Sequence, residues 1–442
     1  MIQKNNKKVM NAWCMYDWAN SVFALTITTA IFPVYFNLVA KGEDGSPYIP
    51  FLGTVKHSSV VFTWSVSIAF LIIAFLSPIL SGIADSGGRK KAFMKFFVYL
   101  GSVSCALLFF FDSHTINLGI VCFILGAVGF AGSIVFYNAY LPEIATPDRH
   151  DRLSAKGFSM GYIGSVILLI LNILMLEMPH WFGMAAGTTL PARISFLSVG
   201  AWWLLFSFYS FYYLPADDKT KKVNLDQINK GFKEINSVFK SLKRYPMLML
   251  FLAAFFFYSM GFQTIMYLAS IFGADELKLP QTGLIVTILI IQLVAIGGAY
   301  MFAAMSERIG NIMTLFYALI LCVGICVAAW FIQTDVQFYA LAVLVGLVMG
   351  GLQSLSRSTY SKMLPETKDT ASYFSFYEFT EKTGIVLGTA VFAVVTDVTG
   401  SMRNSILALL LFFFAGLYFL WRVRRVSKSK VGEVRQVETN SV

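Results

Sequence analysis

The sequence predicts an all-α integral membrane protein of twelve transmembrane helices, arranged as two six-helix halves. Three observations lead to this prediction. Of the 442 residues, 57% are hydrophobic and only 13% are charged, and the mean hydropathy is +0.69, which is more apolar than a water-soluble fold requires. The apolar residues form about twelve runs, each near the roughly 20 residues that a helix needs to cross a bilayer. Two short motifs also recur at nearly one spacing, which indicates that the second half duplicates the first.

Six spans are predicted in the first half of the chain, where apolar runs are bounded by charged residues, Gly or Pro. They lie at approximately 12–38, 60–84, 92–112, 116–141, 154–178 and 193–214. A second set of six lies at roughly 247–272, 279–304, 311–334, 337–364, 371–398 and 403–424. We therefore divide the chain into an N-terminal six-helix half (1–214), a cytoplasmic linker (215–246), a C-terminal six-helix half (247–426) and a cytoplasmic tail (427–442).

The linker is predicted to contain an amphipathic helix on the membrane surface, because apolar residues recur at helical spacing within a charged stretch. These residues are Ile228, Phe232, Ile235 and Phe239.

The distribution of positive charge predicts a multi-pass protein of the cytoplasmic membrane with both termini in the cytoplasm, because Lys and Arg concentrate on the cytoplasmic side. In this orientation, few of the 34 Lys and Arg fall in segments predicted to lie outside. They are Lys41, Lys56, Arg193, Lys278 and Arg403. Attraction to anionic lipid headgroups then explains the net charge of +10, and binding to nucleic acid is not expected.

No metal or cofactor site is predicted. The five cysteines lie in apolar runs without a C-x-x-C pair, and the four histidines lie in or beside predicted loops. An intramembrane enzyme would need a convergent set such as paired Asp residues on the spans or a cluster of His, and the sequence predicts neither. We therefore expect a protein that is not an enzyme.

Two motifs recur in corresponding places of the two halves. The loop after the second span contains Gly82-x-x-Asp85-x-x-Gly88-Arg89, and the loop after the eighth contains Ala304-x-x-Glu307-x-x-Gly310-Asn311. The fourth span ends with Leu141-Pro142-Glu143, and the tenth ends with Leu364-Pro365-Glu366. The two spacings are 222 and 223 residues, so a single duplication explains both.

The segment 82–91 resembles the signature loop between the second and third spans of the major facilitator superfamily. Four further motifs are similar to those of its vacuole-effluxer branch. They are Trp13-x-x-Tyr16-Asp17-Trp18-Ala19-Asn20-Ser21, Tyr137-Asn138-Ala139-Tyr140-Leu141-Pro142-Glu143, Arg152-Leu153-Ser154-Ala155-Lys156-Gly157-Phe158-x-x-Gly161-Tyr162-x-Gly164 and Gly350-Gly351-Leu352-Gln353-Ser354-Leu355-Ser356-Arg357-Ser358. This branch pairs autophagy-related vacuolar amino-acid effluxers of fungi with bacterial members, and the chain resembles a bacterial-type member over essentially its whole length.

The resemblance implies a major facilitator fold that works by rocking of two halves around a site near the membrane midplane. We expect a secondary active transporter, an exporter by resemblance, of a small polar or zwitterionic metabolite such as an amino acid or a short peptide. Its expected partners are this small-molecule substrate, membrane lipids and protons as the coupling ion, and we expect a monomer. A carrier of an amphipathic lipid-linked or cell-wall-derived cargo is an alternative, since the chain has 42 Phe, 20 Tyr and 8 Trp. A non-transporting membrane sensor or scaffold is another.

Polar stripes inside the spans predict where a solute travels, because polar side chains in lipid are costly unless they face protein or water. The stripe of the first span is Asp17, Ser21, Ala24 and Thr28, with Asn20 beside Asp17, and that of the seventh is Ser259, Gln263, Tyr267 and Ser270. The candidate substrate-binding residues are Asn20, Asn138, Gln263, Tyr267 and Arg357. Helix-to-helix hydrogen bonds that only hold the bundle together are the alternative.

Charged residues within the spans form a second set of candidates. We expect Asp17, Arg357, Glu378, Glu381 and Lys382 to form one charged layer in the cytoplasmic half. Three acids face two bases, so one carboxylate is left over, and in a partly dehydrated site that carboxylate would bind a proton more readily. Glu378 is the first candidate for proton coupling and Asp17 the second. A closed structural network of ion pairs is the alternative.

The loop after the second span is the predicted gate, and its residues are Gly82, Asp85, Gly88 and Arg89. Gly82 permits close helix approach. Asp85 at a helix end can accept charge-assisted hydrogen bonds, and Arg89 can bind a neighbouring helix. The alternative is an ordinary positively charged cytoplasmic loop.

Overall fold

The computed structural model describes residues 3–42, 45–51, 53–218 and 237–440, with side chains up to residue 427. Most of the predicted amphipathic linker helix, with Ile228, Phe232 and Ile235, lies outside the described residues. Apart from one two-stranded hairpin, the regular structure of the described residues is helical.

Eleven helices in the described part of the chain are long and apolar enough to cross a membrane, and a bent pair of helices makes a twelfth span. Span 1 is this pair, Lys7–Ala30 and Phe32–Val39. Spans 2 to 6 are Ser58–Gly87, Lys90–Phe110, Ile116–Ile144, Pro147–Glu177 and Leu190–Tyr213. Spans 7 to 12 are Pro246–Asp275, Gln281–Ile309, Asn311–Phe331, Asp335–Met363, Thr370–Thr399 and Met402–Ser427. Most of these ends lie within a few residues of the predicted ones.

Some spans combine an α-helix with a shorter turn at one end. The α-helices of spans 3, 4 and 5 are Lys90–Leu107, Ile116–Ala139 and His150–Glu177, and the turns joined to them are Leu108–Phe110, Leu141–Ile144 and Pro147–Arg149. A 3₁₀ turn at Pro179–Phe182 follows span 5. The last helix continues to Asn440, well past the predicted end of the span near residue 424, because residues 425–440 contain no proline and a single glycine, Gly432.

Span 1 is not α-helical throughout. An α-helix at Lys7–Val22 is followed by a π-helix at Phe23–Ala30 and, after a bend of 42°, by an α-helix at Phe32–Val39. Pro33 follows the bend directly, and proline both lacks an N–H and restricts the residue before it. A π-helix has a wider turn than an α-helix, and Ser21, Ala24 and Thr28 of the predicted face are all half-buried across this change.

The segment between spans 1 and 2 contains a β-hairpin that the sequence analysis did not predict. Strand β1, Tyr48–Phe51, pairs antiparallel with strand β2, Thr54–His57. Gly53 in the turn has φ +75°, which glycine adopts without strain. Each strand has only four residues, too short for the alternation of apolar and polar residues to be recognised.

Local sequence explains where several spans begin and end. Gly88 follows span 2 with φ +62°, the left-handed conformation that commonly terminates a helix, and its N–H bonds to the carbonyl of Ala84. At the start of span 10, the Thr334 side chain accepts from the N–H of Gln337 and the Gln337 side chain accepts from the N–H of Thr334. This reciprocal pair satisfies N–H groups that lack partners at a helix start.

The chain divides into two compact units by its internal contacts. Unit 1 comprises Met1–Ala145, Gly157–Phe232 and Asp369–Phe379. Unit 2 comprises Thr146–Lys156, Lys233–Lys368 and Thr380–Val442. The first residues of span 11 therefore pack in unit 1, and the first residues of span 5 pack in unit 2. Two helices are thus shared between the units.

The core of unit 1 contains a group of phenylalanines at the ends of the spans predicted to face outside. We call it the unit 1 aromatic cluster; it consists of Phe32, Phe36, Phe62, Phe111, Phe123 and Phe196. Phe32 stacks on Phe123 with ring centroids 4.9 Å apart. Both side chains are almost fully buried, so they fill this part of the unit.

In unit 2, two helices come into close backbone contact. Spans 8 and 10 approach each other at Gly346, where an added Cβ would lie 2.6 Å from the carbonyl oxygen of Ile291. Gly298 and Gly350 similarly face backbone atoms of the opposite helix. Small residues allow such approach in membrane bundles, where van der Waals packing drives helix association.

Candidate functional site

In unit 1, four predicted site residues from spans 1, 4 and 11 and one further residue, Tyr137, make up what we call the Asp17 cluster: Asp17, Asn20, Tyr137, Asn138 and Glu378. The Tyr137 hydroxyl donates to Oδ2 of Asp17 (2.7 Å), and the Trp13 indole N–H donates to the carbonyl of Tyr137 (2.9 Å). Trp13 also stacks on the Tyr137 ring at 4.5 Å. Asp17 is therefore held by a neighbouring helix through a tyrosine that the sequence analysis did not select.

Asn138 and Glu378 are joined directly in this cluster. The Asn138 side-chain amide donates to Oε1 of Glu378 at 3.0 Å, and both residues are buried. The Asn20 side chain accepts from the Ser21 hydroxyl at 3.4 Å, whereas its amide nitrogen has no hydrogen-bond partner among the described residues. The structure thus brings Asn138 to the first candidate for proton coupling.

In unit 2, spans 7 and 11 form what we call the Glu381 cluster: Gln263, Tyr267, Glu381 and Lys382. The Gln263 side-chain amide donates to Oε1 of Glu381 (2.8 Å), and the Lys382 ammonium donates to Oε2 of the same carboxylate (2.5 Å). Tyr267 lies near both charged residues. An acid, a base and a neutral amide are thus in contact within membrane-spanning helices.

Arg357, a predicted substrate-binding residue of span 10, has a different environment. Its guanidinium donates to the hydroxyl of Ser154 (2.9 Å) and to the carbonyl of Ser154 (3.0 Å). The Ser154 hydroxyl in turn donates to the carbonyl of Ser354 (2.8 Å). These contacts tie the start of span 5 to span 10 within unit 2 and favour a structural role for Arg357.

The predicted charged layer is divided between the two units. Asp17 and Glu378 belong to unit 1, whereas Arg357, Glu381 and Lys382 belong to unit 2. A single layer that contains all five residues stays a prediction.

The predicted gate loop contacts the start of span 11. Asp85 accepts from the backbone N–H groups of Ala371 (3.3 Å) and Ser372 (2.7 Å). These are among the first N–H groups of the helix, which have no acceptor within it, and a negative charge there is further stabilised by the helix dipole. Asp85 thus caps a helix from the second half of the sequence.

The base beside Asp85 is Lys90, which directly follows the predicted gate residue Arg89. The Lys90 ammonium lies 3.2 Å from Oδ1 of Asp85, donates to the Thr370 hydroxyl (2.6 Å) and pairs with Glu143. The backbone N–H of Arg89 bonds to the Ala84 carbonyl (2.9 Å) in the helix-terminating turn. We call Asp85, Lys90, Glu143 and residues 370–372 the Asp85 network. The other two predicted gate residues, Gly82 and Gly88, are a buried helix position and the turn after it.

Unit 2 contains a related network at the duplicated loop after span 8. Asp151 accepts hydrogen bonds from Ser306 (2.8 Å), Asn311 (2.8 Å) and Lys362 (2.6 Å). Arg152 makes two hydrogen bonds to Glu307, at 2.5 and 2.7 Å. We call these residues the Asp151 network. Glu307 and Asn311 are the repeat partners of Asp85 and Arg89, so in both units the duplicated loop contacts the first residues of a shared helix.

Sequence reasoning missed several members of these networks. Lys90 directly follows the predicted gate residue Arg89, and Glu143 is the last residue of the motif 137–143. Asp151 directly precedes the motif 152–164. The repeated motifs were therefore a usable signal for these positions. Their partners in the second half of the sequence could not be found in this way, because those contacts join segments more than 150 residues apart.

The described residues contain no group of three or more His, Cys, Asp or Glu that could hold a metal ion, and each of the five cysteines is a free, buried thiol.

Comparisons with known proteins agree on one group of relatives. A family model described as "Vacuole effluxer Atg22 like" matches residues 5–433. An uncharacterized MFS-type transporter of Bacillus subtilis, YxiO, is 31% identical over 432 residues, and the match covers 98% of each chain. Autophagy-related protein 22-1 of Penicillium rubens is 22% identical, and the match covers 93% of this chain and 89% of the fungal protein.

Solved structures give the same result for the fold. A major facilitator superfamily transporter, FucP of E. coli, solved in the outward conformation, matches with a TM-score of 0.69 at 15% identity. The match covers 94% of this chain and 98% of FucP. The predicted major facilitator fold is thereby confirmed, and a likeness at this identity extends no further than the fold.

Proposed function

The chain belongs to the Atg22-like vacuole effluxer family of major facilitator transporters, and from this premise we propose that it is a secondary active exporter of a small zwitterionic metabolite, an amino acid or a short peptide. It is a multi-pass membrane transporter, and its family is one of transporters and not of enzymes. The substrate class, the direction and the coupling ion are our proposal.

The observation that carries the substrate proposal is the contact of Glu381, Lys382 and Gln263. Ionised side chains inside membrane spans are costly and occur mostly where they pair with each other or serve a solute pathway. A zwitterion carries an ammonium and a carboxylate, so it can replace the contact between Glu381 and Lys382 by one new ion pair to each. Gln263 remains as a neutral donor or acceptor. Asn20, Asn138 and Tyr267 are the further polar side chains that we propose contact the solute.

We propose that Glu378 links this transport to protons. Its side chain is buried and its Oε1 accepts from Asn138. Carboxylates on membrane spans are the groups that commonly relay protons in transporters, so Glu378 can bind or release a proton when solute movement changes its surroundings. Asp17, which accepts from Tyr137, is the second candidate.

Export is proposed from the family description together with the distribution of positive charge. From that distribution we propose that both termini lie in the cytoplasm and that the protein lies in the cell membrane. In this orientation the Asp85 network and the Asp151 network both lie at the cytoplasmic ends of the spans. We propose that they stabilise the state closed to the cytoplasm and that the chain acts as a monomer.

The alternative function, transport of an amphipathic cargo, was suggested by the abundance of aromatic residues. Many of the described aromatic side chains instead pack in the core or lie on the outer surface. Phe32 and Phe123 pack in a buried cluster, and others, such as Tyr212 with 80% of its surface exposed, lie on the outside of the bundle, where lipid would contact them. A small polar solute is therefore the better proposal.

A thermal-shift experiment tests the substrate class. Purified protein is heated with amino acids and dipeptides, and with the same compounds N-acetylated or C-amidated so that one charge is lost. We expect a zwitterion to raise the melting temperature, because a ligand at a hundred times its Kd stabilises the folded state by about 2.7 kcal/mol. We expect neither blocked form to do so. Equal stabilisation by the blocked forms, or none by any zwitterion, contradicts the proposal.

A matched pair of variants tests whether the ligand that raises the melting temperature binds at the Glu381 cluster. Gln263→Ala should lose most of the ligand-induced shift, because it removes a group that we place at the solute. Gln292→Ala removes another buried amide of unit 2 that belongs to neither cluster, and it should keep the shift.

A further inference from the structure

Unit 2 contains a cavity of about 50 Å³ among the ends of its helices that are predicted to face outside. Each of spans 7 to 12 contributes to its wall. The volume is several times the roughly 10–15 Å³ that one water molecule requires. The cavity lies entirely within unit 2, so its wall does not depend on residues of unit 1.

The wall of this cavity offers almost no hydrogen-bonding group. Its two hydroxyl groups are already used within their own helices, since Thr264 donates to the carbonyl of Met260 (2.7 Å) and Thr287 to that of Gly283 (2.9 Å). The remaining lining side chains are apolar, apart from the thiol of Cys326. A water molecule needs two to four polar partners, and an apolar cavity without them stays dry and can bind an apolar ligand.

One position in the wall of this cavity corresponds, by the repeat spacing, to a filled position in unit 1. The repeat spacings of 222 and 223 residues relate Phe123 of span 4 to Val345 or Gly346 of span 10. In unit 1 the Phe123 ring stacks on Phe32 inside the aromatic cluster. In unit 2 the corresponding residue is smaller under either spacing, and Val345 lines the cavity. A large side chain in one half thus corresponds to open space in the other.

We propose that this cavity is a binding site for a small apolar molecule, such as xenon or a hydrocarbon of two or three carbons, separate from the Asp17 and Glu381 clusters. Its volume is about a third of the roughly 150 Å³ of an apolar cavity that binds benzene, so larger rings are excluded. Thr264 and Leu268 of the wall directly follow Gln263 and Tyr267 on span 7. An occupant therefore contacts the helix that carries half of the Glu381 cluster. This proposal does not depend on the proposed function.

Xenon is the probe that tests the site. The protein in lipid nanodiscs is heated under xenon and, as a pressure control, under helium. We expect xenon to raise the melting temperature relative to helium, by about 0.5 °C at a concentration near its Kd and by more at higher pressure. Val345→Phe places in unit 2 the ring that unit 1 has at the equivalent position, and it should abolish the difference between the gases.

Two further variants keep the test decisive. Val343→Phe adds the same ring to an exposed position of span 10, so it should retain the full xenon effect. Because xenon dissolved in lipid acts on both phenylalanine variants, a difference between them reports binding in the cavity. Ala342→Val adds only two carbons to the cavity wall and should reduce the rise in melting temperature under xenon. This smaller change tests the cavity even if Val345→Phe does not fold. Wild type without a xenon-specific rise, or an undiminished rise in the folded cavity variants, overturns the proposal.

Discussion

At the scale of single residues, Asp85 is a buried carboxylate that accepts hydrogen bonds from the first N–H groups of span 11. Asp85→Asn keeps the shape of the side chain and removes its charge. A hydrogen bond to a charged group contributes about 1.5–3 kcal/mol, so we expect the ratio of the state closed to the cytoplasm to the state open to it to fall roughly 10- to 150-fold. Lys90→Met should act in the same direction, because Lys90 is the base that pairs with Asp85.

The reactivity of a single cysteine at Ser259, measured from each side of the membrane in a variant without the native cysteines, checks this prediction. Reactivity from the cytoplasmic side should increase in Asp85→Asn. Asp148→Asn removes an exposed acid, near the same ends of the spans, that belongs to neither network, and it should change nothing. Unchanged reactivity in Asp85→Asn would exclude the gating role.

Glu378 is the residue on which proton coupling is predicted to depend. Glu378→Gln cannot take up a proton, while its amide oxygen can still accept the hydrogen bond from Asn138. We therefore expect reconstituted protein to lose uphill transport driven by a pH gradient and to keep exchange of substrate between the two sides within about twofold, because exchange needs no net proton movement.

Glu366→Gln is the control for this experiment, since Glu366 is an exposed acid outside the spans. It should retain both activities. Accumulation of substrate by Glu378→Gln under a pH gradient, or indifference of the wild type to the gradient, would leave the carboxylate with a structural role.

At the scale of helices, glycines determine how closely spans 7 and 11 pack. An added Cβ at Gly388 would lie 2.6 Å from the carbonyl oxygen of Met260, whereas at Gly297 of span 8 it would meet no atom within 4 Å. Gly388→Ala should therefore destabilise the protein by about 1–3 kcal/mol through overpacking. Gly297→Ala should be neutral or stabilising by up to about 1 kcal/mol, since alanine favours a helix more than glycine does.

Thermal unfolding in one detergent compares the two alanine variants directly. If Gly388→Ala is as stable as Gly297→Ala, the contact between spans 7 and 11 is looser than described. Span 5 meets span 1 in a similar way in unit 1, where a Cβ at Gly164 would lie 2.9 Å from Trp18. Both glycine contacts lie beside polar clusters, so a change in spacing there would also move Asp17 or Glu381.

At the scale of the whole molecule, the orientation in the membrane is a separate prediction. A cysteine at Thr188, in the loop after span 5, should react with a membrane-impermeant maleimide in intact cells. A cysteine at Glu366, in the loop after span 10, should react only after the cells are opened. Both positions are exposed, so a difference between them reports the side of the membrane and not burial. The reverse pattern would invert the orientation and with it the assignment of both networks to the cytoplasmic side.

The number of spans, the duplication and the family could be read from the sequence alone. The physical reason is that a bilayer requires long apolar runs, so hydropathy marks each span with little competing signal. A repeated motif can also be recognised from sequence positions alone, and the repeats at 222 and 223 residues therefore indicated two related halves. Asn138, Glu378, Gln263 and Glu381 were selected on the same basis, as polar groups where lipid makes polar groups costly.

Only the tertiary structure decided which of these groups meet. The contact of Asn138 with Glu378 joins residues 240 positions apart, and that of Asp85 with Ser372 joins residues 287 apart. Neither hydropathy nor repeat spacing contains such a pairing. The same holds for the contact of Lys90 with Asp85, which depends on the turn at Gly88, and for the π-helix of span 1. The unit 2 cavity is a further case, because open space depends on how side chains of six helices fit together, and no local pattern in the sequence records that fit.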